Sequence, residues 1–192
     1  MIIGITGGIG CGKSLVLEIL KEAGAGVVDS DKLGHEALCE PNVKKKLISS
    51  FGLDILGDNE AVDRKKLSSV FADKKRLEKL NNILHPVIIK KIQEKIEILQ
   101  RKFDIIALEI PLLYECNLEY LSDVVCVVYA DLEIRKKRLS ERGLDNFEIL
   151  ERIKSQMPLE EKIAKADIVI MNNGTKKQLK TEIFEKILNN IE

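Results

Sequence analysis

Read only for apolar and polar positions, the chain changes period several times. Met1-Ile2-Ile3-Gly4-Ile5-Thr6 is a short run rich in β-branched residues, which predicts a strand. From Leu15 to Lys21 the apolar positions return at helical spacing. Gly24-Ala25-Gly26 ends that helix, and Val27-Val28 starts a second strand that closes on Asp29-Ser30-Asp31. Strand, helix and strand in this order form a βαβ unit, with parallel strands and a right-handed crossover. From Lys32 to Arg101 the texture is different: charged residues alternate with Leu, Ile and Val at helical spacing. Asp73 is placed to cap a helix carrying Leu77, Leu80, Ile83 and Leu84. Val87, Ile88, Ile92, Ile96 and Leu99 stripe a longer one from about Pro86, with His85-Pro86 as the corner between them. Gly57-Asp58-Asn59-Glu60 marks a turn between shorter helices.

Strand texture resumes at Phe103-Asp104-Ile105-Ile106-Ala107-Leu108, an apolar run suited to a sheet buried on both faces, ending in Glu109 and stopped by Pro111. Asp123 to Ala130 is a fourth strand, and Asp131 is placed to cap a helix over Leu132 to Glu141. Leu144 to Met157 reads as helical and breaks at Pro158. Ala166 to Met171 is a fifth strand, closed by Asn172-Asn173-Gly174, and Thr175 to Ile191 is the last amphipathic helix. Strands alternating with helices predict an α/β fold with a five-stranded parallel sheet flanked by helices. About 70 residues between the second and third strands exceed one crossover helix, so Lys32 to Arg101 is a helical insertion. The expected division is a core of residues 1–31, 102–137 and 164–192, the insertion of 32–101, and a helical lid of 138–163.

Composition narrows the function classes. Lys plus Arg and Asp plus Glu both number 31, aromatics are 4% and Trp is absent, so the chain lacks the basic face and stacking platforms of a nucleic-acid binder. Cys11, Cys39, Cys116 and Cys126 show neither zinc spacing nor a close framework, which fits free thiols in a reducing compartment. No basic segment precedes the first apolar run, and Val124 to Ala130 is too short to cross a bilayer. The expectation is a cytoplasmic protein without membrane or nucleic-acid partners.

The densest chemistry lies between the first strand and the first helix. Gly7, Gly12, Lys13 and Ser14 fill the pattern G-x-x-x-x-G-K-[ST], in the strand–loop–helix setting that the pattern requires. Glycines such as Gly8, Gly10 and Gly12 let successive N–H groups turn inward as an anion nest, and the helix N-terminus adds unpaired donors. Lys13 reaches β- and γ-phosphate oxygens, and the Ser14 hydroxyl ligates Mg²⁺. The loop therefore predicts a nucleoside triphosphate.

Other candidates stand where strands end, which is where ligands bind in such sheets. Asp29 reads either as a helix cap or as part of the site, and Asp31 as catalytic. Glu109 closes the third strand where a carboxylate orients Mg²⁺ through water. Arg138 and Arg142 share one helical face, and Arg152 and Gln156 follow in the next helical stretch. Lys136 and Lys137 read as a solvated face. His35 and His85, each lone on a helix, read first as packing or hydrogen-bonding residues.

These segments together resemble the dephospho-coenzyme A kinase family over essentially the whole chain. The likeness rests on Thr6-Gly7-Gly8-Ile9-Gly10-Cys11-Gly12-Lys13-Ser14, Asp29-Ser30-Asp31-Lys32-Leu33-Gly34-His35-Glu36 and Leu84-His85-Pro86. It continues in Pro111-Leu112-Leu113-Tyr114-Glu115, in Arg138-Leu139 with Arg142, and in Arg152-Ile153-Lys154-Ser155-Gln156-Met157-Pro158. Ala166-Asp167-Ile168-Val169-Ile170 and Asn172-Asn173-Gly174 close it. The resemblance implies a P-loop kinase that moves the γ-phosphoryl of ATP to the 3′-hydroxyl of dephospho-CoA, with Mg²⁺ as cofactor. It implies acceptor contacts from Asp31, His35, His85, Leu112, Leu113 and Glu115, a lid bearing Arg142, Arg152 and Gln156, and adenine near Asn173 and Gly174. Arg138 joins the ATP-binding residues. Two positions depart from the family: Leu15 stands where Thr is frequent, removing a hydroxyl beside the α-phosphate, and Glu109 stands where Asp is frequent.

The mechanism expected is in-line transfer, with Lys13 and the loop amides on the phosphates, Mg²⁺ held by Ser14 with Asp31 or Glu109 through water, and Asp31 on the acceptor hydroxyl. Arg142, supported by Arg138 or Arg152, neutralises the migrating group. A nucleoside monophosphate kinase would need arginines in the insertion, where only Arg64 and Arg76 are internal; a GTP-hydrolysing switch would need N-K-x-D, which Asn172-Asn173-Gly174-Thr175 is not. Cys11, inside the loop, is either an inert small residue or a thiol whose pKa is lowered below about 8.5 by the helix terminus and Lys13. On the second reading it alkylates fastest of the four and ATP protects it.

Overall fold

In the computed structural model, which describes residues 1–68, 70 and 73–190, five strands assemble in the order β2-β3-β1-β4-β5. β1 (Ile2–Gly7) leads into α1 (Lys13–Glu22) and then β2 (Gly26–Asp29). A helical stretch follows with α2 (Ser30–Leu38), α3 (Pro41–Phe51), α4 (Arg64–Ser68) and α5 (Lys74–Gln100). The sheet is completed by β3 (Ile106–Glu109) and β4 (Val124–Tyr129); α6 (Leu132–Ser140), α7 (Asn146–Lys154) and α8 (Leu159–Ala164) precede β5 (Ile168–Met171), and α9 (Lys176–Lys186) comes last. β1 pairs in parallel with β3 on one side and β4 on the other, and β4 pairs in parallel with β5. β2 lies next to β3, where the Gly26 N–H donates to the Ile105 carbonyl at 2.9 Å. The expected five-stranded parallel α/β sheet is what forms.

The chain divides into two compact units, Met1–Val28 with Ile96–Glu192, and Asp29–Lys95. In the first, Ile3, Ile5, Ala107, Leu108 and Cys126 to Val128 are fully buried, so central strands that read as continuous apolar runs are covered on both faces. Val16 and Leu20 of α1 and Leu179 and Ile183 of α9 supply buried positions from the helices. Truncating one such residue, Ile5→Ala for example, costs about 2–5 kcal/mol through lost burial and the cavity left. The second unit has its own core of Val43, Leu47, Ile55, Leu67, Val70 and Leu80. The segment 138–163 belongs to the first unit. No helix among the described residues is long and apolar enough to cross a membrane.

Local expectations hold at several ends. Asp73 Oδ1 accepts from the Lys75 and Arg76 N–H groups at 2.8 and 3.2 Å, capping α5. The turn at Gly57 is closed by Glu60 N–H to Gly57 O at 3.0 Å, and Glu60 takes a φ of 59°. Asp131 occupies the cap position of α6 without a capping side-chain bond.

Three readings need correction. α5 runs unbroken through Pro86, so His85-Pro86 is no corner. Pro86 has no N–H for the Asn82 carbonyl, but Leu80, Ile83, Leu84 and Val87, on both sides of it, pack into one apolar cluster and keep the helix in a single register. The second strand ends at Asp29, and Ser30 already begins α2, so the strand does not close on Asp29-Ser30-Asp31: Ser30 and Asp31 are helical. Helical structure also resumes after Pro158 as α8, which the sequence reading omits. The last helix ends at Lys186 and a short 3₁₀ turn spans Leu188–Asn190; the predicted end at Ile191 lies outside the described residues.

Candidate active site

The glycine loop sits at the carboxyl end of β1, the strand flanked by β3 and β4. Gly12 caps α1 with a φ of 91°, a left-handed conformation that side chains disfavour. A Cβ there would also run into the Asn172 Nδ2. Both constraints call for glycine.

Side-chain donors hold the carbonyls of the loop one after another. Lys13 Nζ donates to the Gly7 and Gly8 carbonyls at 3.1 and 3.3 Å. Arg135 Nε donates to Ile9 O at 2.9 Å. Arg138 Nη1 donates to Gly10 O and Cys11 O at 3.3 and 3.4 Å, and Asn172 Nδ2 to Cys11 O at 2.7 Å. Five consecutive carbonyls, 7 to 11, are thus claimed by nitrogen donors. With its carbonyls fixed in this way, the loop has its peptide orientation set for an anion before one arrives.

Several expected site residues meet at this loop. Lys13 is buried at 9% exposure, while Ser14 is exposed in the first turn of α1 and Leu15 is half-buried behind it. Gln156 Oε1 accepts from the Ile9 N–H at 2.8 Å. Arg138 also stands at the loop: Nη2 donates to the Asn172 carbonyl at 2.9 Å, so its guanidinium braces the loop against the end of β5. Of the two readings of Cys11, its burial favours the inert one. Cys11 is fully buried, and a thiol without solvent access is not the fastest to alkylate.

The segment after β3 departs more from expectation. Glu109 is buried at the end of the strand. Leu112 is exposed, but Leu113 is fully buried, with its Cδ1 3.0 Å from where a Gly4 Cβ would stand; it belongs to the core. Glu115 pairs with Lys162 at 2.8 Å and accepts from the Met157 N–H at 3.0 Å, so its Oε1 serves the structure. Lys162, itself fully buried, also donates to Pro111 O at 3.0 Å, as does Thr6 Oγ1 at 3.1 Å. Tyr114 is buried with its hydroxyl unpartnered, and burial pushes its pKa up to about 12.

Asn173 Oδ1 accepts from the Asp131 N–H at 2.9 Å, and Gly174 lies against the Gln178 side chain. Arg142, in the turn after α6, and Arg152, at the end of α7, are both exposed. In the helical unit, Asp29 caps α2 by accepting from the Lys32 N–H at 3.1 Å, as its reading as a helix cap expects. Asp31 stands exposed in the first turn of α2, His35 is exposed in its last turn, and His85 is half-buried in α5 with its pKa lowered by desolvation. Among the described residues no group of three or more His, Cys, Asp or Glu could hold a metal.

Arg135, Asn172 and Lys162 escape the sequence reading. Arg135 is hidden in a run of basic residues, and Lys162 in a short charged helix; only Asn172, beside the expected Asn173, lies in a motif that points to it.

Comparison with known proteins places this geometry. A family model described as dephospho-CoA kinase matches residues 1–178. A dephospho-CoA kinase of Fusobacterium nucleatum is 43% identical over 190 residues, covering 97% of this chain and 95% of that one. A crystal structure from Thermus thermophilus superposes with a TM-score of 0.88 at 35% identity, over 100% of this chain and 98% of the other. A dephospho-CoA kinase from Campylobacter jejuni gives 0.72 at 33% identity, over 99% and 96%. Likeness of this extent, in sequence and in fold alike, shows that the chain with this braced phosphate loop belongs to the dephospho-CoA kinase family.

Proposed function

We propose that the protein transfers the γ-phosphoryl group of ATP to the 3′-hydroxyl of the dephospho-CoA ribose, giving coenzyme A and ADP, the last step of coenzyme A synthesis. The observation that carries the reading is Lys13, a buried ammonium held on the Gly7 and Gly8 carbonyls inside a loop whose pattern serves the β- and γ-phosphates. Membership of the family supports the choice of acceptor. Four free cysteines support a reducing compartment, and we place the reaction in the cytoplasm.

In this reading residues 32–101, with Asp31 just before them, receive dephospho-CoA through Asp31, His35 and His85, and residues 138–163 act as the lid. Asp31, exposed in the first turn of α2, orients the acceptor hydroxyl. The 3′-oxygen attacks the γ-phosphorus, the bond to the bridging oxygen breaks with its electron pair leaving on ADP, and the hydroxyl proton passes to Asp31. Arg142 and Arg152 neutralise charge on the moving group. Arg138, already engaged with loop carbonyls, acts by bracing the loop.

Mg²⁺ suits the residues present. The exposed Ser14 hydroxyl and the buried Glu109 carboxylate are hard oxygen donors, and Mg²⁺ is commonly held by one or two protein oxygens together with phosphates and water. When bound, the ion neutralises charge on the β- and γ-phosphates.

The test is release of ADP from ATP with dephospho-CoA, AMP, CMP, shikimate or water as acceptor. Dephospho-CoA alone is expected to raise the rate above that with water. A preference for AMP or CMP, or no response to any acceptor, would overturn the assignment.

A further inference from the structure

Arg135 is 6% exposed in α6, close against the phosphate loop. A Cβ on Gly8 would stand 2.8 Å from its Nη2 and 2.9 Å from its Cζ, and one on Gly10 would stand 3.1 Å from its carbonyl oxygen. The guanidinium therefore lies where a side chain at position 8 would begin. Its one bond is from Nε to the neutral carbonyl of Ile9. Among the described residues no carboxylate forms an ion pair with it, and neither Nη1 nor Nη2 has an acceptor. These two nitrogens are also absent from the sealed, unpartnered polar atoms of the interior, so they keep access to solvent.

A guanidinium taken out of water against a neutral partner is unfavourable unless an anion compensates it. Holding the Ile9 carbonyl needs only one neutral donor, whereas arginine brings a permanent charge and a fork matched to phosphate oxygens. The Gly8 carbonyl beside that fork accepts from Lys13 Nζ at 3.3 Å. Two cations thus flank one glycine of the loop.

We propose that Arg135 is a phosphate-binding residue, which together with Lys13 takes the terminal phosphates of the bound nucleoside triphosphate. The inference rests on the reading of this loop as the ATP site. Arg135 is then the charge that separates triphosphate from less charged nucleotides at the Gly8 end of the loop.

Calorimetric titration of the wild type, Arg135→Gln and Arg135→Lys with a non-hydrolysable ATP analogue, ADP and adenosine tests it. Arg135→Gln keeps a donor for Ile9 O but loses the charge. Its affinity for the triphosphate is expected to fall by about tenfold to a hundredfold, the usual effect of losing a charged hydrogen bond, with a smaller loss for ADP and none for adenosine. Arg135→Lys is expected to recover most of the loss. A folded Arg135→Gln that binds the triphosphate like the wild type, or that loses all three ligands equally, overturns the proposal. A wild type that binds no nucleotide overturns the ATP reading itself and this inference with it. If Arg135→Gln does not fold, the arginine Nε–H resonance missing from Arg135→Lys identifies Arg135 in the wild-type spectrum. That resonance is expected to shift with the triphosphate analogue and not with adenosine; no shift overturns the proposal.

Discussion

The Ile9 N–H donates to Gln156 Oε1 at 2.8 Å, across 147 positions of sequence. Gln156, two residues past α7, is therefore hydrogen-bonded to a loop whose glycine pattern suits an anion. A side-chain oxygen already sits at one of its N–H donors. Gln156→Glu keeps the shape and the acceptor but adds a negative charge there, which suits the N–H and opposes a triphosphate. ATP affinity is expected to fall by about tenfold or more, without loss of melting temperature in the nucleotide-free protein. Titration and thermal denaturation of the variant check both halves, and unchanged ATP affinity would reject the placement of Gln156 at the anion site.

Lys162 and Glu115 form a pair of another kind, a fully buried ammonium 2.8 Å from a carboxylate whose side chain is 19% exposed. Removing one partner leaves the other charge largely out of water. Lys162→Met is expected to cost about 3–5 kcal/mol, and to lower the melting temperature by roughly 10 °C for a chain of this size. Lys162→Met combined with Glu115→Leu removes both charges and is expected to regain part of that loss. A single variant as stable as the wild type would show that the pair contributes little to the fold.

The ease of reading the sequence follows the range of the interactions involved. β1, the glycine loop and α1 are contiguous, and the change from strand to helical spacing announces them. The cap at Asp73 and the turn at Gly57 are likewise closed by near neighbours. Pro86 misleads because the rule that proline ends a helix is local, while the cluster containing Leu80, Ile83, Leu84 and Val87 is tertiary. The bonds that brace the loop join Arg135 to Ile9 over 126 positions, and Asn172 to Cys11 over 161. No periodicity records such pairs. Leu113 and Glu115 were legible as a motif, but a motif does not say whether a side chain faces a ligand or the core.

Asp29 and Asp31 separate stability from turnover. Asp29 accepts from the Lys32 N–H as the cap of α2, so Asp29→Ala is expected to lose about 1 kcal/mol of stability and keep its turnover. Asp31 makes no capping bond and is exposed, so Asp31→Asn is expected to melt like the wild type. Its rate of ADP release should fall by about 10²–10⁴, the usual share of a general base. Melting curves and the coupled assay on both variants decide; an unstable Asp31→Asn with an inactive but well-folded Asp29→Ala would reverse the roles.

Alkylation of the four thiols follows access first. Cys39 is exposed and is expected to react fastest, whereas Cys11, fully buried in the loop, reacts slowly with or without ATP. Burial raises the pKa of Cys116, and pushes that of Cys126 up to about 12. Since the thiolate is the nucleophile, raising the pH should speed Cys116 late, while Cys126 stays inert in the native protein. Mass-spectrometric mapping over time gives the four rates, and labelling of Cys11 ahead of Cys39 would contradict the order.

His85 links pH to the stability of the helical unit. It is half-buried in α5, and desolvation lowers its pKa below the ordinary 6.5. The folded chain then holds this proton less tightly than the unfolded chain, so protonation favours unfolding. Its contribution is complete above about pH 6.5 and is lost as the pH falls through the lower, folded value. His85→Gln removes the titration while keeping a polar side chain of similar reach. Between pH 7.5 and 5.5 the urea midpoint of the wild type should therefore fall more steeply than that of His85→Gln. The carboxylates are common to both proteins, so the difference between the two slopes reports His85. Parallel slopes would show that burial does not perturb this histidine in solution.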